Sequence, residues 1–79
     1  MSVVPGRYLR REAAQARSAH SKGELTYTAA WSFEPRTRKQ LRQILPGIGE
    51  IIAAVEREGW IHVDTQQLFS SVLLHFVQA

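Results

Sequence analysis

The stretch WIHVDTQQLFSSVLLHFVQ, residues 60–78, decides how this chain folds. Read as strands, Trp60 to Thr65 alternates, with Ile61 and Val63 turned one way and Trp60, His62 and Asp64 the other. Ser71 to Val77 follows as a nearly continuous apolar run. Read as a helix, Asp64 would cap, Gln67 would complete a capping box, and Leu68, Phe69, Val72, Leu73, Phe76 and Val77 would form a stripe. The strand reading is preferred, because a lone strand at Trp60 to Thr65 needs a neighbour and a hairpin supplies the nearest one. Pairing Ile61 with Phe76 and Val63 with Leu74 makes a buried face. It leaves Trp60, His62, Leu73, His75 and Val77 on the opposite face, with the two imidazoles directly across from each other.

Immediately upstream, apolar residues recur at Leu41, Ile44, Leu45, Ile48, Ile51, Ile52 and Val55, the stripe of a helix that Gly59 stops. Pro35 or Thr37 can start it, with Gln40 completing a capping box on Thr37. Pro46 lies inside the stripe and removes a backbone donor, so a kink is expected near Leu45 to Gly49. Further back, Leu25, Tyr27, Ala29, Trp31 and Phe33 alternate with Thr26, Thr28, Ala30 and Ser32, the pattern of a strand buried on one side. These elements make an α+β fold: a small three-stranded, mainly antiparallel sheet covered on one face by a kinked helix. Residues 23–79 form this single strand-helix-strand-strand domain. Residues 1–22 form a basic N-terminal arm, partly helical or mobile, because Ala13, Ala16 and Ala19 give Tyr8 to His20 only a thin apolar side.

Composition narrows the function classes. At 79 residues there is room for one core, and 44% hydrophobic with 22% charged residues is a globular balance. With no cysteine, neither a disulfide nor a thiolate metal site can form. No run reaches the roughly 20 apolar residues of a membrane span, and Met1 to Arg11 lacks the apolar stretch of a secretory signal, so a cytoplasmic location is expected. Charge divides along the chain: residues 1–42 hold nine Lys or Arg against three acids, whereas 43–79 hold one against four.

Glu58-Gly59-Trp60, between the helix and the next strand, resembles the helix end of a group of small bacterial strand-helix-strand-strand domains of unknown function. That resemblance covers Leu25 to Val77 and implies a fold without an activity. Leu45-Pro46-Gly47-Ile48-Gly49 resembles the hairpin of a helix-hairpin-helix nucleic-acid-binding motif, with Glu50 where that motif carries a base. This second resemblance implies that Gly47 and Gly49 bring backbone amides to a phosphate.

Catalytic chemistry finds no support. The seven acids are scattered, and Ser70 and Ser71 near His75 lack the Gly-x-Ser-x-Gly turn of a hydrolase. His62, His75 and Asp64 are too few for a tight metal site, so neither metal nor cofactor is expected. What stands out is a second apolar sheet face, which one helix cannot cover. The leading expectation is a non-enzymatic interaction module that self-associates or docks a protein partner through Trp60, His62, Leu73, His75 and Val77. The alternative is nucleic-acid binding through Arg7, Arg10, Arg11, Arg17, Arg36, Arg38, Lys39 and Arg42, together with Gly47 and Gly49.

Overall fold

The computed structural model describes residues 4–32, 38–68 and 70–79, with the side chains of 38–43 excepted. Helix α1 (Gly6–Ser21) leads into strand β1 (Thr26–Ser32), helix α2 (Arg38–Glu56), and strands β2 (Trp60–Gln67) and β3 (Ser71–Gln78). The sheet is antiparallel in the order β1-β3-β2, so α2 carries the chain from one sheet edge to the other. The fold is α+β, and the last segment is a strand. Phe33, Glu34, Pro35, Arg36 and the Thr37 cap lie outside the described residues.

Local chemistry accounts for the element ends. Pro5 cannot donate, but its carbonyl accepts from the amides of Tyr8 and Leu9 at 3.0 and 3.2 Å, which starts α1. At the other end, the Glu24 amide bonds the Ala19 carbonyl and the Gly23 amide that of His20, a Schellman closure. Helix α2 runs unbroken through Pro46. The helix-hairpin-helix reading is therefore corrected: Leu45 to Gly49 form no hairpin, and their backbone belongs to a helical ladder.

Both helices lie on one face of the sheet. Tyr27, Trp60 and Phe76 share that face, the Tyr27 ring lying 5.6 Å from Trp60 and 6.2 Å from Phe76. Tyr27 donates to Glu12 at 2.7 Å, and the Trp60 indole donates to the Ala16 carbonyl at 2.9 Å. Ile51 and Val55 of α2 join the same buried cluster with Val72, Leu74 and Phe76. A thin alanine side was expected to dock poorly, yet α1 packs with Ala16 fully buried. Small side chains let the helix backbone approach closely enough for its carbonyl to meet the indole.

The β2–β3 register differs from the expected one. Ile61 pairs with Val77 and His62 with Phe76, and a bulge at Val63 then sets Asp64 against His75. A one-residue slip exchanges the two faces of a strand. Trp60 and His62 accordingly turn toward the helices, while Ile61 and Val63 remain 46% and 55% exposed. Trp60, at 2% exposure, is core and not an outward contact residue.

Candidate interaction surfaces

The sheet face away from the helices is open. Cross-strand pairing lays three rows on it: Thr26, Val77 and Ile61; Thr28, His75 and Asp64; Ala30, Leu73 and Gln66. Thr28 Oγ1 and His75 Nδ1 share a hydrogen bond of 3.2 Å. Among the described residues, no Lys or Arg belongs to a strand, and Asp64 is the one acid in the sheet. Of the residues expected on an outward apolar face, Leu73, His75 and Val77 are there. His62 is not: its ring lies 5.4 Å from that of Phe76, and Nε2 bonds Thr65 Oγ1 at 2.8 Å. The two imidazoles therefore occupy opposite faces. Among the described residues, no group of three or more His, Asp or Glu is placed to hold a metal ion.

The helix layer has a second feature, its charge polarity. Val4, just before α1, meets Gly47 of α2, Arg17 pairs with Glu58, and the His20 ring sits against Gly59. Positions ascend together along both chains, so α1 and α2 run parallel and begin at the same end of the molecule. Between Val4–Gly47 and Arg17–Glu58 runs a groove floored by Leu9, Ala13, Ala53 and Ala54 and edged by two bases, Arg10 and Arg57, and two acids, Glu50 and Glu58.

This arrangement sorts the basic residues. Arg7, Arg10 and Arg11 are exposed in the first turns of α1, and Arg38, Lys39 and Arg42 fall in the first turns of α2. Neither helix has an acid in its first turn. Arg17 lies at the far end, bonded to Glu58 at 2.8 and 3.4 Å, which holds the Glu58 carboxyl below its ordinary range. Gly47 is buried beneath the Trp31 indole and offers nothing to a phosphate. Gly49 stands in open space but within the helix.

The sequence reading missed Glu12. It is 7% exposed, and it accepts from Tyr27, whose hydroxyl is pushed well above its ordinary value by burial and then by this bond. The signal was available: Glu12 falls in the same helical stripe as Ala16 and Ala19, where a carboxylate needs a buried donor. No protein-family model, curated protein or solved structure matches the chain.

Proposed function

We propose that this chain is a non-enzymatic interaction module that self-associates through the helix-free face of its sheet. One observation carries the reading: a three-stranded face with apolar Ile61, Leu73 and Val77 and no Lys or Arg, in a chain with ten. Both helices are already spent on the other face, so no further helix of the described residues is left to cover it.

The pattern on this face is self-complementary. A two-fold axis running along β3 between facing sheets stacks each row on its own copy. Val77 then meets Val77 and Leu73 meets Leu73, while Asp64 of each copy faces Thr28 of the other, a donor for a carboxylate. Three strands of seven residues span about 14 by 24 Å, roughly 340 Å² a side, against about 800 Å² a side for a tight complex. Association through this face alone is therefore weak.

Sedimentation from about 10 μM to about 1 mM suits that regime. The expected result is a monomer–dimer equilibrium in the wild type that Leu73→Glu abolishes. Near-ultraviolet circular dichroism of buried Trp60, on the opposite face, reports whether the variant is folded. A wild type that stays monomeric at the highest concentration overturns self-association.

A further inference from the structure

We propose that the end of the molecule where α1 and α2 both begin binds the phosphodiester backbone of duplex nucleic acid without sequence preference. Five bases from two elements about thirty residues apart in sequence belong to the beginnings of these helices: Arg7 and Arg11 in the first turns of α1, and Arg38, Lys39 and Arg42 in the first turns of α2. No acid occurs in residues 1–11 or 35–49. The rest of the helix layer is balanced: Arg10 and Arg57 share their groove with Glu50 and Glu58, Arg17 pairs with Glu58, and Lys22 is followed closely by Glu24.

Two further details favour a duplex. Nine residues of α2, 38–46, precede the level at which Val4 meets Gly47, a length of about 13 Å at 1.5 Å per residue. Bases on α2 and on α1 are thereby staggered along the helix axes, which suits contact with several phosphates. Among the described residues no fully exposed aromatic ring offers a platform for unstacked bases: Trp60 is buried, Trp31 packs on Gly47, and the Tyr8 hydroxyl is bonded to the Ala30 carbonyl.

The test is fluorescence anisotropy with a labelled DNA duplex of mixed sequence, about 20 base pairs long, titrated at several salt concentrations. Four to five phosphate contacts predict affinity falling about 10²- to 10³-fold between about 50 and 200 mM salt. Three double variants each remove two positive charges: Arg7→Gln with Arg11→Gln, Arg38→Gln with Lys39→Gln, and Lys22→Gln with Arg57→Gln. The first two are expected to weaken binding at least tenfold and to flatten the salt slope by about two contacts, and the third to leave both near wild type. Equal losses in all three overturn the localised site in favour of net charge. Anionic phospholipid vesicles bound in place of the duplex, or no binding at about 50 mM salt and about 100 μM protein, overturn the proposal outright.

Discussion

The indole N–H of Trp60 donates to the main-chain carbonyl of Ala16 at 2.9 Å, joining the first residue of β2 to the middle of α1 across 44 positions of sequence. The ring is also in edge contact with His20 and tilted against Tyr27. Trp60 thus ties the N-terminal helix to the sheet, alongside Tyr27 on Glu12 and Tyr8 on the Ala30 carbonyl.

Removing that tie selectively tests it. Trp60→Phe keeps an aromatic ring but loses the donor and part of the volume, with an expected loss of about 1–3 kcal/mol in urea unfolding. Hydrogen exchange of α1 amides should accelerate more than that of β3. Equal protection in the two elements would show that α1 is held by other means.

Gly47 and Gly49 should respond to alanine with opposite signs. Each substitution gains up to about 1 kcal/mol of helix propensity. At Gly47, however, the new methyl carbon would lie 2.5 and 2.8 Å from two carbons of the Trp31 ring and 3.1 Å from Val4 Cγ2, whereas at Gly49 it meets open space. Gly49→Ala is expected to stabilise by about 0.5–1 kcal/mol, and Gly47→Ala to destabilise by about 1–3 kcal/mol through overpacking. Chemical denaturation of the pair decides the matter, and two stabilising results would disprove the close Trp31 packing.

Gly59 combines two demands. Its φ is 95°, and a methyl carbon would approach the His20 ring to 2.7 Å. Gly59→Ala is expected to lower the melting temperature by several degrees, consistent with about 1–2 kcal/mol, and Gly59→Asn to recover part of the backbone cost but not the clash. A variant as stable as wild type would disprove the left-handed helix end.

Alkaline pH should weaken the fold. Burial and the Glu12 bond raise the Tyr27 hydroxyl above its ordinary 10.0, and burial followed by the Glu12 charge raises that of Tyr8. A raised phenol binds its proton more tightly in the folded chain than in the unfolded one. Its contribution is full below the unfolded value near 10 and declines as pH rises toward the folded value. Unfolding free energy should therefore drop between about pH 9 and pH 11, and by less in Tyr27→Phe. Ultraviolet absorbance of tyrosinate over the same range identifies the group, and an unchanged slope in the variant would absolve Tyr27.

Period and punctuation alone determined the order helix, strand, helix, strand; the last segment read as strand or helix, and the need of Trp60 to Thr65 for a neighbour chose the strand. The alternation at Thr26 to Ser32, the stripe from Ile44 to Val55 with its stop at Gly59, and the β-rich run at Ser71 to Gln78 are local signals, and they correspond to local structure. Tertiary structure alone decided which side of β2 is inside. Ile61 and Val63 are the more apolar pair, yet Trp60 and His62 face the helices, because an indole can bury a large ring and still satisfy its N–H on a helix carbonyl. The bulge at Val63 then returns Asp64 to the open face beside His75. Parallel packing of α1 on α2, which gathers arginines from distant segments at one end, is likewise a property of contacts such as Val4 on Gly47 and Arg17 on Glu58 that no sequence spacing encodes.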